Sequence, residues 1–426
     1  MKFSHLSDCH IGSYRDGRMS ELTIEAFRRA VQATIDEKVD FMLIAGDLFN
    51  TSIPSIDSIK ETASLLKRLN DSGIPVYVIA GSHDFSPSGK TMLDVFENAG
   101  LCTNVAKGKS DEEGKLKLTF TEDASSGVKI TGIIGRRGSL ERAYYEALSA
   151  EEMDKEPGFK IFMFHSAITE LKPKGMENIE SSPISLLPKG FNYYAGGHVH
   201  SVIRHSSDEL GGVIAYPGPL FPNSFKELEE MGHGGFYIFD SSDPELLKFN
   251  PVKIKENTTI RVDASMKSPE EVISEVRDSA EKTEIRDRIV LIRISGKLES
   301  GNTSDVKLGE VISEMYEGGA YFVMRNTSAL TSESFEAMRP VTESLAELED
   351  EVIEKNANQM RFSRFSMDNE KRIVKELVEM LDVEKQEGET SKDFEERVLE
   401  NVLFLERMLE EPPKQDIEQD MENKPQ

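Results

Sequence analysis

The residues best equipped to do chemistry are histidines and aspartates gathered in five short segments. These are Asp8-Cys9-His10, Gly46-Asp47, Gly81-Ser82-His83-Asp84, Phe164-His165 and Gly197-His198-Val199-His200. Five of the 8 histidines in the chain fall in them. Residues two apart on extended backbone point to the same side, so Asp8 can converge with His10, and His198 with His200. Imidazole and carboxylate together suit manganese, iron or zinc, and a carboxylate shared between ions permits a pair. A single Asp-x-His at a strand end usually means a hydrogen-bonded pair. Five such segments, each after an apolar strand, are not explained as core histidines, and they imply a metal centre.

The other histidines read differently. His5 lies inside the first strand and is expected to pack in the core, whereas His205 and His233 are expected in solvated loops. Cys9, between two candidate ligands, is expected to face the opposite side of its strand. Two cysteines make no disulfide framework, which points to a reducing cytoplasm. The start leads straight into a strand pattern with no apolar signal stretch. No run of 18 apolar residues is present to span a membrane. The net charge of -26 argues against an all-round nucleic-acid coat, because phosphate binding needs local positive charge. Divalent metals can supply that charge at one site.

The elements that must position these residues alternate strand with helix. Strands are predicted at Lys2–Ser7, Val39–Ala45 and Val76–Ala80, with helices near Ser20–Glu37 and from Ile56 to about Gly73. Later strands are predicted at Val128–Ile134, Lys160–Phe164, Phe191–Ala195, Val213–Tyr216 and Gly235–Phe239. The alternation means a layered α/β domain over 1–250, with ligand groups beyond the carboxyl ends of its strands. At 426 residues the chain should hold two or three domains. Near Pro251 the pattern becomes β-α-β-α-β, a small α/β domain over 251–328. A connector follows at 329–367, then two amphipathic helices at 368–411 and a polar, acidic tail at 412–426 that is expected to be disordered. The second of these helices opens with Thr390-x-x-Asp393, a start resembling a capping box.

In this order the segments resemble the calcineurin-like metallophosphoesterase superfamily. Within it they are most similar to the nuclease subunit of the DNA double-strand-break repair complex, the archaeal and bacterial SbcD-type exonuclease. The resemblance is carried by Lys2–Gly12 (KFSHLSDCHIG), Asp40–Phe49 (DFMLIAGDLF), Ile74–Asp84 (IPVYVIAGSHD), Tyr194–His200 (YAGGHVH), Tyr216-Pro217-Gly218 and Gly234–Phe239 (GGFYIF). It implies a four-layer α/β core, two facing sheets flanked by helices, with a small capping domain. It further implies that Asp8, His10 and His200 hold one manganese ion, that His165, His198 and Ser82 hold a second, and that Asp47 bridges both. His83 would stand beside the scissile phosphate, oriented by Asp84, and Arg136 and Arg137 could touch DNA phosphates.

Two positions depart from the family pattern. Ser82 stands where the family usually has Asn, and Asn50 where its nuclease branch often has His. The implied function is hydrolysis of DNA phosphodiester bonds in break repair, 3'-5' exonucleolytic on duplexes and endonucleolytic on single strands. A small-molecule phosphodiesterase is one alternative; a DNA-end-tethering scaffold with weakened catalysis is another. The helices within Asp368–Leu409 would dock on an SMC-like coiled-coil ATPase. A homodimer is expected through Ile59, Met92 and Val95.

Overall fold

Strands made of continuous apolar residues need cover on both faces, and this chain supplies it with two sheets packed together and helices outside each. The computed structural model describes residues 1–332 apart from 87–88, 112–113, 137–140, 174–178 and 244–246. Arg137, the connector beyond 332, the amphipathic helices at 368–411 and the tail lie outside the described residues.

The strands are β1 (Lys2–Leu6), β2 (Phe41–Ala45), β3 (Val76–Ile79), β4 (Thr103–Asn104), β5 (Gly108–Ser110), β6 (Leu116–Leu118), β7 (Thr121–Glu122), β8 (Lys129–Gly132) and β9 (Lys160–His165). They continue with β10 (Tyr193–Gly197), β11 (Ile203–Ser207), β12 (Gly212–Tyr216), β13 (Gly234–Asp240), β14 (Leu247–Val252), β15 (Asn257–Asp263), β16 (Ile289–Lys297) and β17 (Phe322–Thr331). One six-stranded sheet runs β14-β13-β1-β2-β3-β4, and a second runs β11-β12-β10-β9-β8-β7. In the first, β1, β2, β3 and β4 are parallel, with Ser4 opposite Met42 and Leu43 opposite Tyr77. In the second, β8, β9, β10 and β12 are parallel, with Gly197 opposite His165. The parallel strands therefore end their carboxyl termini together, where ligand-bearing turns belong.

Between the sheets lies a core of Phe3, Phe41, Leu43, Ile79, Ile130, Ile161, Met163, Tyr193 and Ala195. Outside the first sheet pack α1 (Gly17–Asp36) and α2 (Ile56–Asp71). Helix α1 buries Met19, Leu22, Ala26, Phe27 and Ala30, one face at helical spacing. It starts earlier than Ser20 because the Asp16 side chain accepts from the Arg18 N–H and caps it. Outside the second sheet, Phe162, Phe164, Tyr194 and Tyr216 pack with Tyr145, Met153 and Leu187. These are the four layers that the resemblance implied.

Contacts divide the described residues into two units. The first comprises Met1–Asp263, Glu270–Ser295 and Lys307–Ala329. In it, β15 and β16 run parallel from Asn257 opposite Ile289 to Asp263 opposite Ser295, within a three-stranded sheet β15-β16-β17. The second takes Ala264–Pro269, Gly296–Val306 and, of the described residues, also 330–332. There the Met266 N–H donates to Lys297 (3.2 Å) and the Leu298 N–H to Thr331 (2.9 Å).

His5 is fully buried, and its Nδ1 lies 2.9 Å from the Tyr193 hydroxyl. Cys9 is buried in the core against α1 and α2. His205, expected in a loop, lies exposed on β11 opposite Ile214. β11 is an edge strand whose Arg204-His205-Ser206 stretch lacks the apolar alternation that marks a strand. No helix among the described residues is long and apolar enough to cross a membrane.

Candidate metal centre

Each segment singled out above leaves the end of a parallel strand and turns at once. Asp8 follows β1 at φ 49, His10 has φ 42, Asp47 follows β2 at φ 51, and His198 follows β10 at φ 82. Left-handed backbone at side-chain-bearing residues costs on the order of 1–3 kcal/mol each and clusters at functional sites. Glycines make the crowding possible. A Cβ on Gly46 would sit 2.2 Å from His165 Nδ1, and one on Gly81 would sit 2.3 Å from Asp47 Oδ1.

The side chains converge. Ligand atoms of Asp8, His10 and His200 lie within 4.8 Å of one another, as do those of His10, Asp47 and His83, and those of Asp8, Asp47 and His165. Asp47 belongs to two of these triads. Asp8 and His165 are fully enclosed, and His10 and Asp47 nearly so. His10 Nε2 lies 3.1 Å from His200 Nε2. His165 Nε2 lies 3.1 Å from Asp47 Oδ2, without the alignment of a hydrogen bond, and 4.0 Å from Asp8 Oδ1.

Hydrogen bonds from outside the cluster fix the rings. His165 Nδ1–H donates to the Ala45 carbonyl (2.8 Å), which turns its Nε2 toward the aspartates. His83 Nδ1–H donates to the Asn50 carbonyl (2.8 Å), and the His83 backbone N–H donates to Asp47 Oδ1 (2.8 Å). The His198 N–H donates to both oxygens of Asp8, at 3.0 and 3.1 Å. His200 Nδ1–H donates to Glu227 Oε1 (3.1 Å).

The electrostatics are those of a charged cluster out of water. Burial opposes ionisation of Asp8 and Asp47, but the surrounding imidazoles outweigh it and hold both carboxyls well below the usual range. Burial also opposes the charging of His165 and His200; neighbouring carboxylates override it and raise both to about 10. His10 and His198 are pushed down to about 4 by burial. Asp84 is pushed up to about 7 by burial, then by Asp47.

These residues fit a bound pair of divalent cations. His10 Nδ1 and His165 Nε2 are buried with no hydrogen-bond partner, although such atoms normally have one. Two carboxylates and several imidazole nitrogens converge on shared space, the donor set expected for transition metals.

The other candidates fall around this cluster. The His198 ring lies 5.3 Å from that of His165, and Ser82 Oγ lies 3.4 Å from Asp47 Oδ2. Asp84, expected to orient His83, has both oxygens taken by backbone, accepting from Phe49 N–H (3.2 Å) and Gly81 N–H (2.9 Å). It ties together the turns after β2 and β3, while the Asn50 carbonyl holds the His83 ring. The Arg136 guanidinium stacks over Phe85 (5.9 Å) and Tyr144 (5.5 Å). Glu227 had not been singled out. Its only signal in the sequence is Ser224-x-x-Glu227, the start of a capped helix.

With this geometry in view, the calcineurin-like phosphoesterase family profile matches residues 1–202. The DNA double-strand break repair protein Mre11 of Archaeoglobus fulgidus is 26% identical over 338 residues, 74% of this chain and 72% of that protein. The proteins of the same name from Methanococcus maripaludis and Saccharolobus solfataricus are 27% and 28% identical over 57% and 61% of this chain. The matched regions span 63% and 65% of those two proteins. Family profile, relatives and buried ligand cluster agree: residues 1–202 carry the calcineurin-like phosphoesterase pattern, and the chain is a metal-dependent phosphoesterase similar to proteins of DNA break repair.

Proposed function

We propose that the protein hydrolyses DNA phosphodiester bonds in double-strand-break repair with two manganese ions, as an exonuclease on duplex ends (3'-5') and an endonuclease on single strands. The observation that carries this reading is the convergence of His10, Asp47 and His83 beside the buried aspartates, in a chain whose relatives are named as DNA break repair proteins. When bound, the ion pair supplies Lewis-acid stabilisation and a nucleophile at neutral pH.

Asp8, His10 and His200 would hold one ion, His165, His198 and Ser82 the other, with Asp47 shared. His83 is half-buried. Its Nδ1–H is committed to the Asn50 carbonyl, so its Nε2 is free to hold a proton beside a bound phosphate. That is the placement of a general acid or a donor to developing charge. Arg136 would meet the phosphates of a strand leaving the site. We further propose that the chain pairs with a second copy through α2 and α3 (Met92–Asn98), and that 368–409 docks on an SMC-like ATPase.

The test is manganese-dependent cleavage of linear duplex and circular single-stranded DNA by the full chain. Activity should vanish with EDTA and in Asp47→Asn, and fall by roughly 10²–10⁴-fold in His83→Ala. A chain that cleaves only a small chromogenic phosphodiester would be a small-molecule enzyme. No cleavage of either substrate would make it a tethering scaffold.

A further inference from the structure

We infer that the short helix α6 (Phe225–Met231) ties the three-stranded sheet to the metal centre, with Glu227 as the positioning residue for His200 and Glu229 as the anchor on the sheet. The inference rests on the metal-centre reading above.

Glu227 has no freedom to swing. Its Oε1 accepts from His200 Nδ1 (3.1 Å) and from the Ser224 hydroxyl (3.1 Å), and its Oε2 accepts from the Asn223 N–H (2.7 Å). Ser224 in turn caps the helix, accepting from the Glu227 N–H at 3.2 Å. The carboxylate therefore holds the Nδ1–H of His200 and turns its Nε2 toward the centre. That Nε2 is 3.6 Å from Asp8 Oδ1 and 3.1 Å from His10 Nε2. A carboxylate behind a metal-binding imidazole sets both its tautomer and its aim.

Two residues further along a helix a side chain points to nearly the opposite side. Glu229 accordingly faces the small sheet, where it is 9% exposed. It accepts from Arg293 Nε (3.0 Å) and Nη2 (2.5 Å) on β16, and from Arg261 Nη2 (2.8 Å) on β15. The Arg293 guanidinium also lies over the Phe225 ring at 5.0 Å. At the far end of the helix, the Asn257 side-chain amide donates to the carbonyls of Leu228 (2.7 Å) and Gly232 (3.3 Å). A helix of 7 residues has little stability of its own. Its position is set by what grips it, a metal ligand on one side and β15 and β16 on the other. A displacement of the sheet must therefore reach His200.

Calorimetric titration of the full chain with Mn²⁺, read beside the unfolding temperature of each variant, tests this. Glu227→Ala should weaken one of the two sites by roughly 10–100-fold and spare the other. Glu227→Gln keeps an acceptor and should recover most of the loss. Glu229→Gln, and the pair Arg261→Met with Arg293→Met, should weaken the same site by roughly 3–30-fold. Arg277→Met, which breaks a 2.8 Å ion pair with Glu314 elsewhere in the same region, should change neither site. The tie is overturned if the Glu229 and arginine variants lower the unfolding temperature yet leave that site's affinity as it was. It is equally overturned if Glu227→Ala leaves both affinities unchanged. Should Glu227→Ala not fold, Ser224→Ala must weaken the same site in smaller measure, and no change there also refutes the tie. A native chain that binds no Mn²⁺ would instead refute the metal-centre reading.

Discussion

At the scale of single residues, the centre is limited by how far each side chain reaches. Ser82 is nearly buried, with its hydroxyl 3.4 Å from Asp47 Oδ2. Gly81 cannot shift to bring it closer, because the space about its Cα is filled by Asp47. A serine oxygen stands nearer the backbone than an asparagine amide oxygen, so the second ion should bind less firmly than the first. Ser82→Asn is expected to tighten it by roughly 10–100-fold. Manganese titrations of both proteins measure this, and two equally tight sites in the native chain, unaffected by the substitution, would show the serine to be sufficient. The residues about this point were legible in the sequence because Asp and His after apolar strands are conspicuous. Glu227 was not, because a glutamate three residues past a serine is what any capped helix shows. Nor was the Asn50 carbonyl, a backbone atom that no side-chain identity announces.

At the scale of elements, the two sheets are joined by more than apolar contact. His5 on β1 and Tyr193 on β10 meet across the sandwich with rings edge to face and a 2.9 Å polar contact. Burial pushes the His5 pKa down to about 3 from its ordinary value of 6.5. The unfolded chain then binds a proton that the folded chain refuses between those values. The contribution of this residue is thus intact above pH 6.5 and lost as pH falls toward 3. The expected cost is ~1.4 kcal/mol per pH unit within that window. Urea unfolding in EDTA at pH 6.5 and 4.5 should show His5→Gln losing ~2–3 kcal/mol less than the native chain over this interval. Equal losses would mean that His5 is not the group responsible. The strands of the sandwich were readable because they are apolar on both faces. β14 escaped notice because Lys248, Asn250 and Pro251 interrupt it, which an edge strand tolerates. α6 escaped because its short sequence is mostly charged and its hold comes from partners distant in the chain.

At the scale of the molecule, a net charge of -26 means that a polyanionic substrate is repelled at long range. Productive encounter must then depend on local attraction at the metal centre, or on a partner that delivers the substrate. Assembly is therefore where function should be most sensitive. Val95 is 55% and Ile56 82% exposed, while Ile59 and Met92 are partly buried against the core. The α2 and α3 faces thus retain apolar surface for a second copy. The full chain is expected to sediment as a dimer at micromolar concentration. A chain ending before Asp368 should stay dimeric and keep its metal sites but fail to co-sediment with the proposed ATPase partner, since the segment proposed to dock in a groove is then missing. A monomeric full chain, or a truncated one that still binds the ATPase, would contradict the corresponding half of this expectation.

The left-handed backbone at Asp8, His10, Asp47 and His198 bears on how such a chain can change over generations. Glycine would relax the backbone at each of these positions, but at Asp8 and Asp47 it would leave the His198 and His83 N–H groups without their acceptors. Aspartate and glycine codons differ by a single base, so the route is short. Residues kept for activity are often those that stability alone would discard, and the backbone strain at these turns is of that kind. At Asp8 and Asp47 the conformational cost is set against the imidazoles and backbone N–H groups that favour each charge, so the same carboxylates that could serve a metal also hold their turns in place.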